Sequence, residues 1–358
     1  ADGWWDVRAG HAAREAWDLG FRGEGVKVAV LDFATDFGHP DLHGTWAVLP
    51  PAHPYAGWPQ AFDPWAGYQR TFDRTRAPAQ QSTRTGATGF VELYQDSDVT
   101  TRDISGTLKT TACFQALVQV QVSPTAIATQ LAPESCDFVV PETSKSAKVR
   151  YGHHPDTFLR PLGARAGTVG ELAGVIIVDE HAAGDYDTVY VDLDNDRDFT
   201  DEKPMTRQSP LGWRDMNDDA IADLSAGLLY FVSDGELPLP GAWVWGLESD
   251  IPAAGRMIAI NFANGDHGTL CSSNVVAQGR LGVPKDREIR FRDLPGDGQP
   301  QGVNFGLAPA GQLVSIGSVY AGGRAMFAPA WRYSVFGHDI QRADDDIQVT
   351  SNSYGFSD

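Results

Sequence analysis

Two short segments hold the side chains that are best suited to proton transfer. Asp32 follows residues 26–31, an almost continuous apolar run with one lysine. His267 lies in the motif DHGT at residues 266–269, directly before an apolar stretch. A buried carboxylate fixes the tautomer of an imidazole and stabilises its protonated form, so that the imidazole can accept the proton of a weak nucleophile. Taken singly, Asp32 could cap a turn and His267 could be an ordinary residue at a helix start; as a pair they predict acid–base catalysis.

The patterns around both residues are those of an α/β protein. The run before Asp32 predicts a buried parallel strand, and open α/β sheets place catalytic groups at the carboxyl ends of such strands. Periodicity also predicts strands at residues 257–263, 312–319 and 347–351, and helices at residues 9–19, 270–277 and 329–343. The sequence therefore indicates an α/β framework at both ends of the chain.

Four motifs resemble those of one family and occur in its order. They are VAVLDFATDFGHPDL at residues 28–42, DHGT at residues 266–269, GLAP at residues 306–309 and VTSNSYG at residues 349–355. These resemble the aspartate motif, the histidine motif, the Gly-Val-Ala-Pro element and the substrate-cleft strand of the subtilases, the subtilisin-like serine proteases. Cys271 resembles the thiol that proteinase K-like members carry beneath the catalytic histidine.

The resemblance implies a function and a fold. It implies that Asp32 orients and His267 acts as base in the Asp-His-Ser triad of a secreted serine endopeptidase. Ser353, Tyr354 and Gly355 are implied to bind polypeptide substrates by strand addition. The implied fold is a subtilase-type α/β domain with a mostly parallel sheet and helices on both faces, interrupted by a β-rich insertion domain.

The sequence departs from the family pattern at two places. Family members usually have glycine where Ala34 stands. More importantly, the chain contains no Gly-Thr-Ser motif and no Gly-x-Ser-x-Gly or His-Glu-x-x-His in its place. We therefore expect the serine and the oxyanion asparagine to lie on a companion chain or on the remaining C-terminal part of the protease. The alternative is a non-catalytic, calcium-dependent surface or scaffold protein derived from a subtilase.

A large insertion separates the two candidate catalytic residues. Their positions differ by 235 (267 minus 32), whereas a few dozen positions are typical of the family. The chain is accordingly divided into a first catalytic part at residues 1–45, a β-rich insertion at residues 46–255 and a second catalytic part at residues 256–358. An insertion at this point resembles the pyrolysin and tripeptidyl-peptidase II branches.

The insertion contains two acidic runs with spacing suited to calcium. Calcium takes six to eight oxygen ligands, and clustered carboxylates repel one another unless a cation is bound. The second run follows positions 1, 3, 5 and 9 of a calcium loop, although Ala220 replaces the usual glycine. A solvated acidic loop is the alternative for both. The candidate ligands are Asp192, Asp194, Asp196, Asp198 and Asp201 in the first run and Asp215, Asn217, Asp219 and Asp223 in the second.

Composition excludes several kinds of partner. The formal net charge of -19 opposes binding to a phosphate backbone, so we expect no nucleic-acid partner. No apolar run approaches the roughly 18 residues needed to cross a bilayer, so no transmembrane segment is expected. With 42% hydrophobic residues the chain can form at least one large core.

Overall fold

The computed structural model places a large part of the chain. It describes residues 12–39, 41–62, 64, 83–84, 95–102, 108–110, 117–123, 126–131, 139–146, 148–155, 172–193, 196–214, 224–252, 254–255, 257–262, 266–279, 305–317, 327–343 and 345–353. Both candidate catalytic residues are among these.

Among the described residues, strands dominate the middle of the chain, whereas the α-helices lie nearer its ends. In chain order the elements are α1 (Ala13–Asp18), β1 (Lys27–Leu31), β2 (Ala61–Phe62), β3 (Thr83–Arg84), β4 (Gln95–Arg102), β5 (Leu108–Thr110), β6 (Leu117–Ser123), β7 (Ala126–Leu131), β8 (Lys148–Pro155), β9 (Leu172–Val178), β10 (Thr188–Val191), β11 (Leu211–Arg214), β12 (Leu224–Val232), a 3₁₀ helix (Ala242–Trp245), β13 (Met257–Phe262), α2 (Asp266–Val276), β14 (Gln312–Ile316), α3 (Phe327–Phe336) and β15 (Val349–Ser351).

A four-stranded parallel sheet carries the first candidate residue. Its strand order is β15-β1-β14-β2, and each neighbouring pair is parallel. Val30 of β1 lies opposite Ser315 of β14 on one side and Ser351 of β15 on the other. All five residues of β1 are buried, as expected for a strand inside a parallel sheet. The α/β class with a parallel sheet is therefore confirmed.

The two faces of this sheet pack against different helices. Successive side chains of a strand point to opposite faces, so Val30 and its neighbour Leu31 enter different cores. Val30 packs in a cluster that includes Cys271 and Val276 of α2. Leu31 packs in a second cluster with Tyr333 of α3 and residues of the 3₁₀ helix. Helices thus cover both faces of the described sheet.

The remaining described strands form antiparallel or mixed sheets. The sheets have the orders β10-β9-β8-β4-β5, β11-β12-β13 and β3-β6-β7. Some strand pairs join residues on opposite sides of the two predicted boundaries, which lie after residue 45 and before residue 256. β2 joins the parallel sheet although it lies beyond residue 45, and β13 pairs antiparallel with β12 across residue 256. The division into three segments stays a prediction.

None of the helices in the described ranges is both long and apolar enough to span a bilayer.

Candidate active site

The carboxylate of Asp32 and the imidazole of His267 are hydrogen-bonded. Nδ1 of His267 lies 2.8 Å from Oδ1 and 2.8 Å from Oδ2 of Asp32. Asp32 directly follows β1, and its backbone N–H donates to the carbonyl of Ile316 at the end of β14. His267 is the second residue of α2, the helix that packs on β1. The carboxyl end of the sheet and the amino end of the helix thus bring the pair together.

Burial differs sharply between the two partners. The Asp32 side chain is 0% exposed, whereas that of His267 is 44% exposed. The backbone N–H of Phe33 also donates to Asp32 Oδ1 at 2.8 Å, and the Phe33 ring meets the imidazole edge to face at 6.4 Å. Because the carboxylate holds Nδ1, Nε2 is the ring nitrogen left to exchange a proton with a reactant.

Three consecutive residues after Phe33 fit against the start of α2. A β carbon at residue 268 would overlap the carbonyl oxygen of Ala34, so only glycine permits this approach. Thr35 and Ser272 join their hydroxyls at 2.6 Å in a buried hydrogen bond. The N–H of Asp36 donates to Thr269 Oγ1 at 3.1 Å. These contacts fix α2, and with it His267, against the loop that carries Asp32.

Ala34 adopts the left-handed backbone conformation, with φ of 69°. This conformation is the one that glycine adopts without strain, and family members usually have glycine here. The described turn therefore keeps a glycine-like conformation although the residue is alanine.

The GLAP segment closes the opposite end of α2. The N–H groups of Gly306, Leu307 and Ala308 donate to the carbonyls of Ala277, Asn274 and Val275, with N···O distances of 2.9, 3.0 and 2.8 Å. The last carbonyls of a helix have no partner inside the helix, and these contacts satisfy two of them, at Asn274 and Val275, together with the carbonyl of the residue that follows the helix. A β carbon at residue 306 would overlap the helix backbone, which explains the glycine.

Cys271 lies one helical turn after His267 on the same face of α2. Its Sγ is 3.7 Å from His267 Nδ1. Burial raises the pKa of the Cys271 thiol, although a hydrogen bond with Ser353 acts in the opposite direction. The sulfur is therefore a neutral thiol at neutral pH. It packs beneath the imidazole rather than acting as a nucleophile.

Ligand atoms of Asp32, His267 and Cys271 lie within 4.8 Å of one another, and among the described residues they alone form such a group. They could hold a metal ion, but Nδ1 would have to give up its hydrogen bond to the carboxylate. The aspartate–histidine hydrogen bond is the arrangement that the structure contains.

The described parts of the other predicted sites lie apart from this pair or at its margin. Ser353 follows β15 and contacts Cys271, so it borders the pair, whereas Tyr354 and Gly355 lie outside the described residues.

In the first acidic run, Asp192 is fully buried and accepts from the N–H groups of Asp196 and Arg197. Those predicted ligands that lie outside the described residues are Asp194, Asp215, Asn217, Asp219 and Asp223.

The other described members of the first run form local turns. Asp198 N donates to Asp196 Oδ1 at 2.8 Å, and Thr200 N donates to Asp198 Oδ1 at 2.8 Å. Asp201 is exposed, and Glu202, which is not among the predicted ligands, is buried and accepts from Leu193 N. No three carboxylates of this run converge within 4.8 Å among the described residues. Calcium binding stays a prediction.

Two short matches connect the chain with proteins that are named as proteases. A probable subtilase-type serine protease of Deinococcus radiodurans is 57% identical over 35 residues, and the minor extracellular protease Vpr of Bacillus subtilis is 53% identical over 30 residues. The matches cover 10% and 8% of this chain and only 5% and 4% of those two proteins. No family model and no solved structure matches the chain. The likeness supports a relationship with subtilase-type proteases.

Proposed function

We propose that the chain supplies the aspartate and histidine of a subtilisin-like serine endopeptidase. The observation that carries the proposal is the hydrogen bond of a half-exposed His267 with a fully buried Asp32 at the carboxyl end of a parallel strand. The short matches to two proteases support the same reaction class. In this proposal the serine comes from a companion chain or a further segment, because no Gly-Thr-Ser motif occurs in these 358 residues.

Each residue has a defined task in the proposed reaction. His267 Nε2 accepts the serine proton as the hydroxyl attacks the peptide carbonyl carbon, and then donates that proton to the departing amine. Asp32 holds Nδ1–H and stabilises the imidazolium, which exists only while the proton is on the ring. Water then attacks the acyl-enzyme with the same histidine as base, releasing the acid product and restoring the serine.

The substrate in this proposal is an extended polypeptide. Among the described strands β15 lies at an edge of the parallel sheet, and Ser353 follows it next to Cys271. An edge strand offers free backbone groups to a peptide. We therefore propose that residues 353–355 bind substrate backbone beside His267.

The test uses the protein as its source organism makes it, so that any companion segment is present. A fluorophosphonate probe should label one serine, and mass spectrometry should place that serine in a Gly-Thr-Ser motif. His267→Ala should abolish labelling and peptide hydrolysis. The matched control is His181→Ala, because this exposed histidine pairs with Asp187 away from the site. Absence of labelling in the unmodified protein would favour the non-catalytic scaffold.

Two further properties belong to this proposal. We propose that calcium binds the first acidic run and stabilises the folded state, since a ligand bound only by the folded state raises its stability. Calcium should then raise the melting temperature, and Asp192→Asn should remove the increase. We also propose that the protein is secreted, to be tested by detecting it in the culture medium.

A further inference from the structure

The hydroxyl pair of Thr35 and Ser272 joins the two segments that carry the candidate catalytic residues. Thr35 lies three positions after Asp32, and Ser272 lies five positions after His267. Their oxygens are 2.6 Å apart although 237 positions separate them in the chain. Both residues are 0% exposed, so water does not compete for this hydrogen bond.

The need for such a link follows from how His267 is held. Its side chain is almost half exposed, and its described contacts are the Asp32 carboxylate, the Phe33 ring and the Cys271 thiol. The position of the ring relative to Asp32 therefore depends on where α2 lies against the loop. A directional hydrogen bond between Thr35 and Ser272 restrains the movement of the helix against this loop.

The other two contacts at this junction constrain the helix less completely. The approach of Gly268 to Ala34 is a packing contact, which limits the distance in one direction. The bond from Asp36 N to Thr269 Oγ1 is longer, at 3.1 Å, and involves a half-buried side chain. The buried hydroxyl pair is the shorter of the two polar contacts.

We infer that Thr35 and Ser272 are positioning residues that hold His267 in hydrogen-bonding register with Asp32. The expected effect on catalysis rests on the proposed function. The placement of His267 against Asp32 does not depend on that function. Neither residue touches the reacting atoms in this role. Removing one hydroxyl leaves the other buried without this partner, which allows α2 to shift by a fraction of an ångström.

The kinetic test uses Thr35→Val, Ser272→Ala, the double variant and the conservative Thr35→Ser in the natural protein. Misplacement of a catalytic group lowers turnover steeply, so each single variant should lower kcat by about tenfold with KM within about twofold. Thr35→Ser keeps the hydroxyl, so its kcat should be close to that of the unmodified protein. The double variant should be no slower than the worse single variant, since residues that act as a unit are not additive. Multiplicative losses, or unchanged kcat, would overturn the inference.

The matched control is Ser273→Ala. Ser273 is also buried in α2, and in the described contacts it makes no link to the loop that follows Asp32. Its kcat should stay within about twofold of the unmodified protein. A loss equal to that of Ser272→Ala would show a general packing effect and overturn the inference.

A second measurement separates this inference from the proposed function. The proton between His267 Nδ1 and Asp32 gives a low-field ¹H resonance, which can be observed in the natural protein without any catalytic turnover. The resonance should be sharp in Thr35→Ser and Ser273→Ala but shifted or broadened in Ser272→Ala and Thr35→Val. If the natural protein hydrolyses no peptide and these changes still occur, the proposed function fails and the positioning role stands. An unaltered resonance in all variants would overturn the positioning role.

Discussion

The Nδ1 atom of His267 lies 2.8 Å from both carboxylate oxygens of Asp32, across 235 positions of sequence. The residue that follows β1 and the first turn of α2 form the contact, while most of the described strands between them pair in separate sheets. The long stretch of chain between the two residues is therefore compatible with a direct contact.

Replacing Asp32 by Asn should leave the fold intact and remove most of the catalytic rate. The amide can hold the imidazole in the wrong tautomer and cannot stabilise its charge, and the equivalent change in a known triad lowers kcat by about 10⁴-fold. We expect a loss of about that size in kcat with little change in KM, measured on a peptide substrate. Asp185→Asn, at an exposed position, is the control. A variant that kept full activity would remove Asp32 from the mechanism.

Gly268→Ala should disturb the site through packing alone. The added β carbon would overlap the Ala34 carbonyl, so α2 must move away from the loop. We expect a loss of about 1 to 3 kcal/mol in unfolding free energy, as for other overpacked positions, together with at least a tenfold loss of kcat. Denaturant unfolding and peptide hydrolysis measure the two effects.

The control for this variant is Leu270→Ala. Leu270 lies in the same helix but is 57% exposed, so its truncation should change the unfolding free energy by less than about 0.5 kcal/mol. If Gly268→Ala were as stable and as active as this control, α2 would not lie in close contact with the Ala34 carbonyl at residue 268.

The sequence predicted the elements that carry the site better than the contacts between them. The apolar runs gave strands at residues 26–31 and 312–319, and the structure has Lys27–Leu31 and Gln312–Ile316. The helix predicted at residues 270–277 begins earlier, at Asp266, so His267 lies inside its first turn. Hydrophobic periodicity locates such elements because burial determines the pattern.

Long-range partners were not predictable from the same patterns. Thr35 and Ser272 are small hydroxyl residues, and nothing in their local sequence shows that they meet across 237 positions. The strand at residues 257–263 was recognised by its apolar residues, but its antiparallel pairing with Leu224–Val232 depends on register, which a single run does not encode. The residues that position the site therefore became visible only in three dimensions.

His338 should make the protein less stable in mild acid. Burial is the main reason that its pKa lies well below the ordinary value, and the positive charges of His53 and Lys27 act in the same direction. The unfolded chain therefore takes up a proton on this histidine near pH 6.5, whereas the folded chain does not. Stability contributed by the neutral ring is fully present above about pH 6.5 and declines as pH falls below it, by at most about 1.4 kcal/mol per pH unit.

Two groups near His338, the Asp345 carboxyl and the Tyr333 phenol, have raised pKa values, and they affect the pH dependence of stability differently from the histidine. Asp345 pairs with His53 at 3.2 Å, and its pKa is raised mainly by burial. A carboxyl with a raised folded pKa favours the folded state at low pH and loses that contribution as pH rises. The phenol of Tyr333 bonds His338 Nδ1 and stays neutral, because burial raises its pKa further.

Comparison with His338→Gln isolates the histidine, since Asp345 is present in both proteins. Between pH 7.5 and 5.5 the unmodified protein should lose about 1 kcal/mol more unfolding free energy than the variant, measured by urea unfolding. Equal losses in the two proteins would show that His338 is protonated in the folded state.

Cys271 should resist alkylation in the folded protein. Its side chain is buried, and burial is the main cause of its raised pKa, so little thiolate is present or reachable at pH 8. We expect iodoacetamide to modify the peptide containing Cys271 at least tenfold more slowly than free glutathione, and to modify it fully in guanidinium chloride. Quantitative mass spectrometry of that peptide distinguishes it from Cys113 and Cys136. Ser353→Ala removes the hydrogen bond that lowers the thiol pKa and should slow the reaction further, whereas a faster reaction would show that this residue shields the sulfur instead.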